Sequence, residues 1–297
     1  MKLEKPIFTG AAVAIITPFN QYGNIDYDKL GELIEYQISH GTDAIVICGT
    51  TGESSALDMV EHIKAIEFTV KKVDHRVPVI AGTGSNDTAV AVKLSNQAEA
   101  AGVDALLIVT PYYNKTSQDG LVRHYKYIAD RVSKPIIVYN IPSRTGVAIK
   151  PETFARLAEI ERIAAVKEAS GNISDLAKTI ALCGDKLDFY SGNDDQITAL
   201  MSLGGKGVIS VLSNVEPQAA HDIAQSALDG DFKKSAELQI KYLDLINKLF
   251  MDVNPIPVKE AMNIMGLEVG ECRMPLAPLS PANHEIMVET LKKYGLA

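Results

Sequence analysis

The chain has 297 residues, 46% of them hydrophobic and 22% charged, enough apolar material for a large core and too ordered a composition for a disordered chain. Its 37 Asp and Glu outnumber 29 Lys and Arg, and the resulting formal charge of -8 repels phosphate backbones and anionic lipid, which argues against nucleic acid and membrane partners. Cys48, Cys183 and Cys272 stand far apart with no CxxC pair, so neither a disulfide framework nor a zinc site is expected and a reducing compartment is. The opening Met1 to Pro6 is polar and broken by proline, and no apolar run approaches the roughly 18 to 20 residues of a membrane span. A soluble, cytoplasmic protein is expected.

The first predicted strand, Ala11 to Thr17, leads into Thr17-Pro18-Phe19-Asn20, which is not the glycine fingerprint of a dinucleotide fold. Asp26 then caps a helix with Leu30, Leu33, Ile34 and Ile38 on its buried face and Gly41 as its stop. After a strand at Ala44 to Cys48, Asp58 to Val73 places Ile63, Ile66, Val70 and Val73 at helical spacing. The strand Pro78 to Gly82 precedes a helix capped by Asn86 or Asp87, faced by Val90, Leu94 and Ala98, and ended by Gly102. Further strands are predicted at Ala105 to Thr110, Pro135 to Tyr139, Ile163 to Lys167, Asp188 to Ser191 and Gly207 to Val211. Eight strands alternating with helices predict an α/β fold, a (β/α)8 TIM barrel. Beyond them the pattern is helical: 216–228 completes the barrel, and helices near 232–251, 258–265 and 283–293 form an appendage, interrupted at Asn254-Pro255-Ile256-Pro257. The expected division is a barrel over 1–230 and a C-terminal helical domain over 231–297.

In such barrels the active site forms at the C-terminal ends of the strands. The second strand ends in Gly49-Thr50-Thr51-Gly52-Glu53-Ser54, whose amides and hydroxyls suit a small anion; taken alone it serves equally as a turn capped by Ser54 or Ser55. The fourth ends Thr110-Pro111-Tyr112-Tyr113-Asn114 and the fifth Tyr139-Asn140-Ile141-Pro142-Ser143-Arg144. A phenol at the mouth can relay a proton and an arginine can grip a carboxylate, although each tyrosine singly also suits a rim position with a buried body and wet tip. The sixth strand ends Val166-Lys167-Glu168-Ala169-Ser170-Gly171. Burial favours the neutral amine that attacks a ketone, whereas the bland alternative is a lysine that snorkels outward or pairs with Glu168. Gly192 and Gly207 offer close backbone approach at the last two strands. The six histidines show no pair at helical ligand spacing, so no metal is expected, and Asp194-Asp195 reads as helix capping.

Together, the motifs Gly49 to Ser54, Pro111 to Asn114, Tyr139 to Gly146, Val166 to Gly171, Tyr190 to Asp194 and Asn254 to Lys259 resemble those of the dihydrodipicolinate synthase family. That family sits within the pyruvate aldolase superfamily, which includes N-acetylneuraminate lyase. The resemblance implies that Lys167 forms an imine with pyruvate, and that the derived enamine attacks L-aspartate 4-semialdehyde to give 4-hydroxy-tetrahydrodipicolinate, on the diaminopimelate route to lysine. It implies Tyr139 as proton carrier, with Thr50 linking it to Tyr113 of a neighbouring protomer in a homodimer or homotetramer. Thr51 and backbone near Gly192 and Ile209 would hold pyruvate, Arg144 would grip the semialdehyde carboxylate, and no cofactor is required. Lysine-sensitive members carry a histidine and a glutamate where this chain has Met59 and Val90; Ser55, His62, Asn86 and Tyr112 still match that regulatory pocket, so weak or absent feedback by lysine is expected.

Three other readings compete. Another Schiff-base 2-keto acid aldolase, such as N-acetylneuraminate lyase, is disfavoured by Arg144. A non-catalytic small-molecule-sensing barrel is disfavoured by the joint presence of Lys167, Tyr139, Tyr113 and Thr50. A phosphate-handling barrel is disfavoured by acidic residues after the last strands.

Overall fold

A computed structural model describes residues 3–297. Strands and helices alternate in chain order: β1 Gly10–Ala14, α1 Tyr27–Ser39, β2 Ala44–Ile47, α2 Met59–Val73, β3 Val79–Gly82, α3 Thr88–Ala101, β4 Ala105–Val109, α4 Gln118–Ala129 and β5 Ile136–Asn140. A short α5 Pro142–Thr145 and α6 Pro151–Leu157 follow, then β6 Ile163–Glu168, α7 Ile173–Cys183, β7 Asp188–Ser191, α8 Ile197–Ser202, β8 Gly207–Ser210 and α9 Pro217–Leu228. The chain ends with α10 Phe232–Lys248, α11 Ile256–Ile264 and α12 Pro281–Tyr294. Each strand pairs in parallel with the next, and β8 pairs with β1 from Gly10 opposite Gly207 to Val13 opposite Ser210, which closes the barrel.

Period-two alternation sorts the strand residues into two layers. Val13, Ile45, Ile47, Ala81, Leu106, Ile108, Val138, Val166 and Val208 belong to the core shared with the helices. Ala12, Ala14, Ala44, Val46, Ile80, Ala105, Leu107, Ile137, Tyr139, Ala165 and Ile209 fill the barrel interior. Near the N-terminal segment Phe8 stacks on Tyr190 with ring centroids 4.2 Å apart, and the Tyr190 hydroxyl donates to the Phe8 carbonyl at 2.8 Å. Lys167 lies two residues beyond Ala165, so the same alternation turns it inward.

The predicted caps are present, since Asp26 accepts the Lys29 amide and Asp87, not Asn86, caps α3; Asp58, which opens the predicted α2 span, adds a capping box with Glu61. Ile15 to Thr17, Cys48, Thr110 and Val211 fall outside the strands, because the hydrogen-bonded ladder stops where the chain turns into its loop; Asn140 and Glu168 fall inside. Val90 departs from the predicted core face of α3, which is Ala91, Leu94, Ser95 and Ala98; Val90 is only half-buried and lines a cavity.

A buried ionic node ties the last helices to the β2 loop. From α11, Lys259 Nζ donates to Glu53 Oε1 at 3.0 Å and to the carbonyls of Thr17 and Glu271 at 3.1 and 2.8 Å. The Arg273 amide donates to Glu53 Oε2 at 2.8 Å, while its guanidinium pairs with Glu61 and donates to the Gly23 and Ala56 carbonyls. Phe19 lies under both cations, 4.3 Å from Lys259 Nζ and 4.4 Å from the Arg273 guanidinium carbon. Both oxygens of the Glu53 carboxylate are thus engaged in holding its own left-handed residue (φ 54°) at the end of the loop that carries Thr50 and Thr51.

Candidate active site

The β5–β6 register sets Tyr139 beside Lys167, and the β6–β7 register sets Lys167 beside Tyr190. Lys167 is 6% exposed, with Nζ 4.3 Å from the centre of the Tyr139 ring. Burial lowers the amine to about 8; the Asp194 carboxylate opposes that shift and the Arg144 guanidinium adds to it. Neither bland alternative holds. Glu168 points to the opposite face of β6, where it accepts Asn140 Nδ2 at 2.9 Å and the Ser170 amide at 2.6 Å.

Tyr139 is buried as a whole residue, not a rim residue with a wet tip. Burial pushes its phenol up to about 12, against the stabilising hydrogen bond of Thr50 and the charge of Arg144. Arg144 is carried by α5, whose first residue is Pro142, a position where the missing amide hydrogen costs nothing. Its Nη2 donates to the Asn254 carbonyl at 2.8 Å, and Asn254 Nδ2 donates to Thr51 Oγ1 at 3.0 Å. Asn254, read from sequence as a helix breaker and as the start of a family motif but given no role, therefore braces two predicted ligand-binding residues at once. The signal available was its buried-polar company, which no linear spacing displays.

Gly192, just after β7, comes close to the lysine. A Cβ on Gly192 would stand 3.0 Å from Lys167 Cε and 2.7 Å from the Ala169 Cβ. We expect Gly192→Ala to push the Lys167 side chain aside and lower kcat/KM by about 10- to 100-fold, the order of cost of misplacing a reacting group by about 1 Å; steady-state kinetics on folded protein would check it. Ile209 is buried in β8. Immediately beyond it, the Val211 and Leu212 amides both donate to Asp194 Oδ2 at 2.9 Å. This corrects the reading of Asp194 as a cap of its own helix: no side-chain cap bond forms there, and the carboxylate instead satisfies the amides that open the turn after β8.

The site thus combines a buried amine of lowered basicity, a phenol above it, and an arginine with two threonines at one barrel mouth. The Dihydrodipicolinate synthetase family model matches residues 7–294. The chain is 55% identical over 294 residues to 4-hydroxy-tetrahydrodipicolinate synthase of Acetivibrio thermocellus, covering 99% of this chain and 100% of that one. The chain belongs to the dihydrodipicolinate synthetase family. Among solved structures, the chloride-inhibited dihydrodipicolinate synthase from Acinetobacter baumannii complexed with pyruvate superposes with a TM-score of 0.95 at 42% identity, over 97% of this chain and 99% of that chain. The enzyme from Cyanidioschyzon merolae with lysine bound gives 0.95 at 34% identity, over 99% and 100%.

Two expectations drawn from that family turn on residues away from the lysine. Tyr113 is 93% exposed and holds a left-handed backbone (φ 68°), so it does not join Thr50 and Tyr139 in this chain, and it has no buried body either. Of the pocket residues, Ser55, His62 and Tyr112 share a cavity of about 400 Å3 with Met59 and Val90, and the cavity continues to Thr50, Ile141 and Arg144. Asn86 is not in it; it lines a neighbouring cavity, and its carbonyl accepts Asn114 Nδ2 at 3.0 Å. His62 Nε2 bonds the Gly82 carbonyl at 2.7 Å, and burial lowers its pKa, so the ring is a neutral donor. Among the described residues no carboxylate lines the cavity.

Proposed function

We propose that the chain condenses pyruvate with L-aspartate 4-semialdehyde through an imine on Lys167. The observation that carries this reading is the buried Lys167 amine beneath the Tyr139 ring, with Arg144 acting on both. The neutral amine attacks C2 of pyruvate, the Tyr139 phenol gives its proton to the departing C2 oxygen, which leaves as water, and a protonated imine remains. That imine withdraws electrons from C3, which gives a proton to the Tyr139 oxygen as the enamine forms. The enamine carbon attacks the aldehyde carbon of the semialdehyde, and the aldehyde oxygen takes up the proton. The substrate's own amine then displaces Lys167 from the imine, closing the ring to 4-hydroxy-tetrahydrodipicolinate and restoring the free lysine. Thr51 and the backbone at Gly192 and Ile209 hold the pyruvate carboxylate and C2 region, and Arg144 binds the acceptor carboxylate through its planar fork.

The exposure of Tyr113 supports its service in trans: a second copy brings it to Thr50, making the site complete only in a dimer or larger homo-oligomer. Among the described residues no helix is long and apolar enough to cross a membrane. The three unpaired cysteines support work in the reducing cytoplasm.

A substrate panel tests the reaction. We expect pyruvate turnover with L-aspartate 4-semialdehyde, and none with N-acetylmannosamine, which offers no carboxylate to Arg144; the reverse preference would replace this reading with a sugar-acid aldolase. The cavity beside the mouth predicts the response to lysine. Without a carboxylate, an ammonium ligand loses a charge-assisted bond of about 1.5–3 kcal/mol, roughly 10- to 100-fold in affinity. Initial rates at about 1 mM lysine should therefore stay within about twofold of the uninhibited rate, and strong inhibition at submillimolar lysine would show that another group binds the ammonium.

A further inference from the structure

Asn254 stands between the two residues that hold carboxylates in the proposed reaction. It lies just before α11 and is 6% exposed, and its Nδ2 donates to Thr51 Oγ1 at 3.0 Å. Its main-chain carbonyl accepts Arg144 Nη2 at 2.8 Å, while its Oδ1 has no hydrogen-bond partner. Further along the same segment, Lys259 is fastened to Glu53 and to the Thr17 carbonyl, which keeps Asn254 against the β2 loop. Within the chain the carboxamide therefore acts only as a donor. It leaves a buried oxygen orphaned to do so, a cost that an apolar side chain would avoid.

We propose that Asn254 is a positioning residue that sets the direction of the Thr51 hydroxyl: by donating to Oγ1 it fills an acceptor position and leaves the hydroxyl proton for the pyruvate carboxylate. This inference rests on the reading of Thr51 as a pyruvate ligand at the Lys167 imine. A hydroxyl has a single proton and two acceptor lone pairs, and a carboxylate only accepts, so Thr51 binds one solely through that proton. The Asn254 contact is the hydroxyl's one hydrogen bond among the described residues, and no protein acceptor takes its proton. The site is thus set to donate before pyruvate arrives.

The two carboxylate grips separate at this residue. Arg144 is held by the main-chain carbonyl, which every side chain at position 254 retains, whereas Thr51 is held by the carboxamide. Asn254→Asp keeps the size and the contact but reverses the bond, since the new carboxylate accepts the Thr51 proton and sets a like charge near the incoming pyruvate. Asn254→Ala only frees the hydroxyl to rotate. Reversal should therefore harm pyruvate binding more than deletion, an order opposite to the one that packing alone dictates.

The test is a pyruvate titration of cyanoborohydride trapping on full-length protein, read by mass on the Lys167 peptide. It is run at about pH 9, above the value of about 8 for the amine, with the pH midpoint of trapping recorded for each variant so that a shifted amine is told apart from weakened pyruvate binding. The pyruvate concentration for half-maximal trapping should rise about threefold in Asn254→Ala and about tenfold or more in Asn254→Asp. In Asn254→Ala the KM for the semialdehyde should stay within about twofold, because the carbonyl that holds Arg144 remains. Thr51→Val should itself raise the pyruvate requirement about tenfold, and adding Asn254→Ala to it should change that by less than about twofold, because the hydroxyl through which Asn254 acts is gone. No adduct in the unsubstituted protein would overturn the imine, and an unmoved requirement in Thr51→Val would overturn Thr51 as its ligand; either takes the inference with it. With both in place, the inference is overturned if Asn254→Asp titrates no worse than Asn254→Ala, or if the KM for the semialdehyde in Asn254→Ala rises in step with the pyruvate requirement, since Asn254 is then a brace of the fold only. Should Asn254→Asp fail to fold, the double variant decides, and additive effects of Thr51→Val and Asn254→Ala would overturn the inference equally.

Discussion

Lys167→Ala is expected to lower kcat/KM on the order of 10^4-fold or more while leaving the fold intact, because the reaction loses its covalent intermediate and not merely a contact. The substitution removes an amine that sits over the Tyr139 ring and leaves the strand ladder untouched, so circular dichroism should change little. Lys167→Arg should be equally inactive, since a guanidinium stays protonated and cannot attack a ketone. The pH dependence of the unsubstituted protein follows from the same residue. With the amine lowered to about 8, roughly a tenth of molecules carry it neutral at pH 7, about 300 times the fraction expected of an ordinary lysine. The rate of imine formation should therefore climb from pH 6 and level off above about 8, the pKa of the group that must lose its proton. A rate that is flat between pH 6 and 9, or residual turnover above about a hundredth in Lys167→Ala, would point to a different nucleophile.

Tyr139→Phe separates the later proton transfer from imine formation. The phenol is held near 12, so at neutral pH it is a protonated donor that becomes a base only as it passes its proton on. Its loss should reduce kcat by about 10^2- to 10^4-fold, the usual worth of a positioned acid or base. Borohydride should still trap pyruvate on Lys167, though more slowly. Exchange of the pyruvate methyl protons with deuterated water, followed by NMR, should slow in step with kcat. Undiminished exchange would show that another group takes the C3 proton. Because Phe keeps the ring above Lys167, any change in Tm beyond a few degrees would mean that the Thr50 hydrogen bond also supports the fold.

What was legible in the chain was whatever depends on periodicity and punctuation. The alternation that turns Ala165 and Lys167 to one side of β6 is written in the sequence, and so are the aspartates at positions 26, 58 and 87 that start helices. Closure of the barrel followed from counting strands, although the Gly10 to Gly207 pairing that achieves it joins residues 197 positions apart, 207 minus 10. The lowered basicity of Lys167 was inferred from position; the structure adds that Asp194 and Arg144 pull on it in opposite senses.

The remainder depended on contacts between distant segments. Asn254 looked like a break between helices, yet it reaches from before α11 to Thr51 and supports Arg144. Asp194 looked like a cap because Asp commonly opens helices, but the amides nearest its carboxylate belong to the turn after β8. Glu53 and Lys259, 206 positions apart, disclose their pairing only once α11 has folded back on the β2 loop. Val90 satisfied a helical stripe by spacing alone, and α3 rotates so that Ala91 and Ser95 take the buried face while Val90 turns toward the cavity. Tyr113 is the opposite case: its role was carried by family resemblance, and the single chain leaves the ring in solvent.

The central claim is that Lys167 forms a covalent imine with pyruvate. Incubation with pyruvate and sodium borohydride, followed by proteolysis and peptide mass spectrometry, tests it directly. One reduced pyruvate adduct is expected, on the peptide containing Lys167, that depends on pyruvate and disappears in Lys167→Ala. A folded protein with no adduct, or with its adduct on another lysine such as the buried Lys259, would contradict the account at its first chemical step.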